Sequence, residues 1–123
     1  MIANPDLLPK IRSDALMRAC GSMPCSLRVA SFVGLPCAPQ ATVVGCHIPT
    51  IGKGTSTKVS DVFVAAGCAV CHDIVDGRNK KALDVIMDRY PAAFQERLMR
   101  ANHETISRWV SMGLITVKGG KVI

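Results

Sequence analysis

The 123-residue chain is poor in aromatic side chains: three Phe, one Tyr and one Trp, 4% of the total. Its core must therefore come from Val, Leu, Ile, Met and Ala. At this length such a core is thin, and small domains of this kind commonly add a metal or disulfides. Long apolar runs are also missing. No stretch approaches the roughly 18 apolar residues that cross a bilayer. The opening "MIANPDLLPKIRSD" carries Pro5, Pro9 and mixed charges instead of a signal peptide's apolar run. These absences predict a cytoplasmic protein with no membrane association. Acidic residues are scarce: nine Asp and Glu against fifteen Lys and Arg give a net charge of +6. The basic residues are spread along the chain, which suits a polyanionic partner and equally suits plain solubility. There is no internal repeat and no low-complexity tract, and the length fits one domain.

An irregular arm is expected over residues 1–14, then a short helix from Asp14 to Arg18 capped by Ser13 or Asp14. We place the domain boundary so that residues 1–19 form the arm and residues 20–123 the domain. In "CSLRVASFVG" the alternation of Leu27 and Val29 reads as a strand entering a turn at Gly34 and Pro36. "ATVVGCHI" reads as a second strand over residues 42–48, and "PTIGKGTSTKVS" as a loop. For "DVFVAAGC" periodicity leaves strand and helical turn both open. A short helix is expected from Cys71 towards Asp76, stopped by Gly77, and another across "KKALDVIMDRY". A long one should span residues 92–112, with Phe94, Leu98, Ala101, Ile106, Trp109 and Val110 at helical spacing. Gly113 is placed to stop it, and "LITVK" reads as a short terminal strand.

Six cysteines are present. Cys68 and Cys71 form a tight C-x-x-C knuckle, a spacing that lets two thiolates reach one ion. Zinc takes four such ligands in a tetrahedron. Cys25 and Cys37 bracket the first predicted strand and its turn, so they can return to one point. These four are the expected Cys₄ zinc site. The competing reading, a thioredoxin-like redox pair, needs a βαβ context that the preceding sequence lacks. Cys20 and Cys46 read as small buried apolar residues.

Of the three histidines, His47 ends the second strand and His72 follows the knuckle. A zinc that joins those elements would bring the two near each other, outside the metal shell. Two histidines beside a basic loop suit phosphodiester hydrolysis, one taking a proton from water and the other holding a divalent ion. The ordinary alternative for each is a surface or structural histidine, which is the reading for His103. Asp61, Asp73 and Asp76 are candidate acidic metal ligands, and Asp73 and Asp76 equally suit helix N-terminal charges.

The order of these pieces resembles the HNH, or ββα-metal, nucleases that carry a Cys₄ zinc. It resembles more closely the prophage-encoded nuclease family of the YbcO type, through "CSLRVASFVGLPC", "ATVVGCHI", "GKGTSTKVSD", "CAVCHDIVDGR" and the late "GLITVKG". The resemblance implies a small α+β fold: a zinc-stabilised ββα-metal, treble-clef-like module with C-terminal helices. It implies structural zinc on Cys25, Cys37, Cys68 and Cys71, His47 as general base, and His72 as ligand of a catalytic Mg²⁺ or Mn²⁺. Two positions depart from the HNH pattern. Cys46 precedes His47 where an Asp ligand is common, and Asp61 lies near the place of the middle Asn. Asp61 and Asp76 are then the candidates to complete the catalytic site.

The expected function is a metal-dependent DNA endonuclease of weak sequence specificity, with Lys53, Lys58, Arg78, Lys80 and Lys81 meeting phosphates. The alternative is a catalytically decayed, zinc-stabilised module that binds nucleic acid or protein.

Overall fold

The computed structural model describes residues 9–49 and 59–123. Its elements are α1 (Asp14–Ala19), β1 (Val44–His47), β2 (Val64–Gly67), α2 (Ala69–Val75), α3 (Lys80–Arg89) and α4 (Pro91–Ser111), with 3-10 turns at Cys20–Ser22, Ala30–Val33 and Gln40–Thr42. Together they make a small α+β fold with one two-stranded antiparallel sheet and four α-helices. In the register Val44 faces Gly67 and His47 faces Val64.

Local chemistry sets the helix ends. The Ser13 hydroxyl accepts the Leu16 N–H at 3.2 Å and starts α1. Cys68 is the N-cap of α2, its sulfur accepting from Cys71 N at 3.5 Å. Gly77, with φ +85°, turns the chain after α2. Asn79 caps α3 through Ala82 N, and Pro91 opens α4, where its missing N–H costs nothing.

β2 lies at the centre of the molecule. All four of its residues are buried. β1 satisfies one edge; the other is taken by a helix instead of a strand. Thr105 Oγ1 of α4 accepts from Ala66 N at 3.1 Å, and Asn102 Nδ2 donates to the carbonyls of Val62 and Val64, both at 2.9 Å. Ser26 N and Leu27 N donate to Ala66 O. The buried face of α4 is Phe94, Leu98, Ala101, Thr105 and Trp109, while Ile106 and Val110 are only partly covered. Trp109, fully buried, donates from Nε1 to Leu16 O at 3.0 Å. The boundary drawn between residues 19 and 20 runs between α1 and the 3-10 turn that continues it, and Leu16 of α1 lies in the same core as Trp109.

Two expected strands do not form. The segment after Cys25 is a turn, not a strand. Ser26 and Leu27 bond Ala66, and Arg28 adopts φ +46°, a left-handed value rare for a residue with a side chain. Leu27 and Val29 are both fully buried as expected, but by folding back and not by alternation. "LITVK" also has no strand. Leu114 N closes onto Trp109 O beyond Gly113, and the outer edge of β2 is already filled by α4.

Candidate functional site

Two backbone turns of the same kind build the cysteine cluster. In the first, Arg28 N donates to Cys25 Sγ at 3.5 Å; in the second, Cys71 N donates to Cys68 Sγ at 3.5 Å. Each turn aims a sulfur inward and supplies an N–H three residues on. Further N–H groups converge: Cys68 N on Cys25 Sγ and Ala38 N on Cys68 Sγ, both at 3.3 Å. Gly67 lets the second turn sit close, since a Cβ there would collide with Leu27 Cδ1 and press on Cys46 Sγ at 3.0 Å.

The sulfurs of Cys25, Cys37, Cys68 and Cys71 all lie within 4.8 Å of one another. Cys37 and Cys71 are 3.7 Å apart, and a tetrahedral Zn–S site with 2.3 Å bonds has an S···S edge of about 3.8 Å. The geometry and the soft donor set therefore fit a metal such as zinc. The Cys71 thiol bonds to Cys25 and draws the Cys25 thiol down to about 4, helped by the Arg28 and Cys68 N–H groups and opposed by burial. The same bond to Cys25 pushes the Cys71 thiol up, and burial adds to it. Burial, then the Cys25 charge, pushes Cys37 up to about 11. Cys25 gives up its proton readily while Cys37 and Cys71 hold theirs, so a cation that binds here displaces protons.

Cys20 and Cys46 stand apart from the cluster. Both are fully buried, and their thiols reach carbonyls: Leu16 O for Cys20, Val44 O and Gly67 O for Cys46. Burial pushes them up to about 11 and about 12. Cys46 turns its sulfur into the core, so it offers no ligand beside His47.

The other end of β1 carries His47. Its Nε2 lies 2.8 Å from Asp61 Oδ1, and the second Asp61 oxygen accepts Ser13 N at 2.7 Å. The Asp61 side chain is 8% exposed and that of His47 37%. Burial works to raise Asp61, but the Ser13 N–H, His47 and Arg12 outweigh it and hold the carboxyl below its usual range. An ionised Asp61 can only accept, so Nε2 is the donor, and in the neutral ring Nδ1 is the acceptor. This is the arrangement of a base and its orienting carboxylate.

His72 has its own acid. Its Nε2 is 3.7 Å from Asp76 Oδ2, one turn on along α2. Asp76 also holds Arg78, through Nε at 2.7 Å, through Nη2 and through the backbone N–H. Among the described residues no hydrogen bond or ion pair joins His47 to His72. The register puts His47 three rungs from Val44, about 10 Å along the ladder from the end that leads into the knuckle. His103 is exposed on α4.

Of the expected phosphate contacts, Lys53 and Lys58 lie outside the described residues. Arg78 is engaged by Asp73 and Asp76, and Lys80 by Asp84 at 2.7 Å. Lys81 is exposed and makes no ion pair among the described residues. Sequence reasoning missed Arg12 and Ser13 at the His47–Asp61 pair. Their only signal was the helix cap, which says nothing of a contact 48 residues away.

The chain belongs to the family described as "Putative nuclease YbcO", which matches residues 13–114. The match covers the cysteine cluster, His47, Asp61, His72 and Asp76. The family's description names a nuclease, that is, a hydrolase acting on nucleic acid. Among curated proteins and solved structures nothing matches this chain. Among the described residues, no helix is long and apolar enough to cross a membrane.

Proposed function

We propose that this YbcO-family chain is a metal-dependent DNA endonuclease, cytoplasmic and prophage-borne, that cuts phosphodiester bonds with weak sequence specificity. The observation that carries the proposal is the His47–Asp61 pair, a partly exposed imidazole on a buried carboxylate, at the end of the strand that leads from the cysteine cluster. The chain order of hairpin then helix, β1–β2–α2, supports an HNH-like, ββα-metal architecture related to treble clefs. In this reading the nuclease domain is residues 20–123, and residues 1–19 precede it.

Cys25, Cys37, Cys68 and Cys71 hold a structural zinc. His47 takes a proton from water at Nδ1, and Asp61 stabilises the imidazolium that results. His72 and Asp76 are the ligands for Mg²⁺ or Mn²⁺, which when bound polarises the scissile phosphate. Asp76 is oriented for this by Arg78. Lys53, Lys58, Arg78, Lys80 and Lys81 meet the DNA backbone.

A plasmid-nicking assay with Mg²⁺ or Mn²⁺ tests the reading. The parent should nick, and His47→Ala should lose at least about 10²-fold in rate while keeping its zinc. One observation favours a second reading. Cys46 is buried where HNH nucleases commonly place an acidic ligand, as a zinc-stabilised binding module with a decayed site would show. Salt-sensitive DNA binding with no nicking in either metal would establish that reading instead.

A further inference from the structure

We propose that Arg12 grips the scissile phosphate beside His47; this rests on the nuclease reading of the His47–Asp61 pair. Arg12 lies one residue ahead of the span that the family matches. Residues 11–13 run along residues 59–61. Ile11 N donates to Ser60 Oγ at 3.0 Å, Asp61 N to Ile11 O at 2.9 Å, and Ser13 N to Asp61 Oδ2 at 2.7 Å. The strap fixes the guanidinium. Arg12 Nη1 spends its two hydrogens on Val59 O at 2.7 Å and Ile11 O at 3.1 Å.

That leaves Nε and Nη2 with three N–H groups. None of them is engaged among the described residues, and the side chain is 47% exposed. These two nitrogens form the planar edge that binds a phosphate through two parallel bonds. Nη1 is 3.8 Å from Asp61 Oδ1, the same oxygen that holds His47. The guanidinium and the imidazole therefore flank one oxygen, and in this proposal the scissile phosphate sits against both. A charge already oriented there stabilises the pentacoordinate oxyanion without reorganising.

The experiment pairs two readouts on Arg12→Ala and Arg12→Lys. The first is cleavage of a duplex oligonucleotide with Mn²⁺. The second is the salt dependence of binding to the same duplex, measured in a His47→Ala background. Arg12→Ala should lose about 10²-fold in kcat/KM and reduce the log K–log salt slope by about one. Arg12→Lys should restore the slope but only part of the rate, since a point charge replaces the fork. Unchanged cleavage, or lost cleavage with an unchanged slope, overturns the proposal; the latter would mean that Arg12 serves only to hold Asp61. If the parent binds but does not cleave and Arg12→Ala still lowers the slope, the nuclease reading fails while the phosphate contact stands. If neither cleavage nor a slope change is seen, both fail.

Discussion

The β1–β2 hairpin is held differently at its two ends. Where Val44 faces Gly67, two sulfur-centred turns close on each other, and backbone N–H groups three residues apart do the aiming. Where His47 faces Val64, the chemistry depends on side chains and on a distant segment, residues 11–13, folded against residues 59–61. The first end buries Cys68 and Cys71 completely; the second leaves an imidazole half-open to water. In the proposed reading one end serves stability and the other contact with a substrate, and a four-residue strand keeps them apart.

Substitutions should separate the two ends by size of effect. Cys68→Ser should have the largest. Structural zinc supplies about 10–16 kcal/mol of apparent binding energy in small peptides, comparable to the whole stability of a domain, about 5–15 kcal/mol. Metal analysis and circular dichroism should show loss of both zinc and fold. Cys20→Ser, at a buried thiol outside the cluster, should keep the zinc. Retention of zinc and fold by Cys68→Ser would erase the distinction between the ends.

Asp61→Asn should come next and act at the other end only. It removes a charged acceptor of two hydrogen bonds, each worth about 1.5–3 kcal/mol, and should slow nicking with zinc retained. The Asp61 carboxyl is held below its usual range. Its contribution is therefore full at neutral pH, above the unfolded value, and is lost as pH falls through the depressed folded value. Thermal melts between neutral and acid pH should lose less stability in Asp61→Asn than in the parent. Equal losses would remove Asp61 as a source of acid lability.

Thr105→Val tests the strand that links the ends. It leaves Ala66 N buried without its acceptor, at about 1–3 kcal/mol, and denaturant melts should show this with zinc content unchanged. Lys81→Ala should be smallest, weakening DNA binding slightly and lowering the salt slope by about one. A binding loss larger than that of Arg12→Ala would move the substrate path away from His47 and towards α3.

The two ends also differed in how far the sequence exposed them. The C-x-x-C spacing is local, so Cys68 and Cys71 were readable; Cys25 and Cys37 stood out because they bracket an expected strand and turn, and they do reach the cluster although that strand does not form. The helices α2, α3 and α4 were readable from periodicity, Gly77 and Pro91. The turn after Cys25 was not, because Leu27 and Val29 alternate as a strand would, while the backbone there folds back, with Ser26 and Leu27 N–H bonded to Ala66 O and Arg28 left-handed. Thr105 was missed because a polar residue on a helix's buried face carries no hydrophobic signal. Arg12 and Ser13 were missed for a further reason: their contacts to Asp61 span 48 or more residues, and no periodicity encodes them.

The helix-side edge of β2 has a consequence in time. Ribosomal synthesis delivers residues 25–71 first, enough for both sulfur turns and the hairpin to form. The groups that close the outer edge, Asn102 and Thr105, arrive 38 to 40 residues behind the backbone they cover. Until they emerge, the carbonyls of Val62 and Val64 and the N–H of Ala66 are an open pairing edge on a nascent chain, the kind of surface through which incomplete chains associate. A pause in translation before Asn102 and Thr105 emerge would prolong that exposure, and one after they emerge would not.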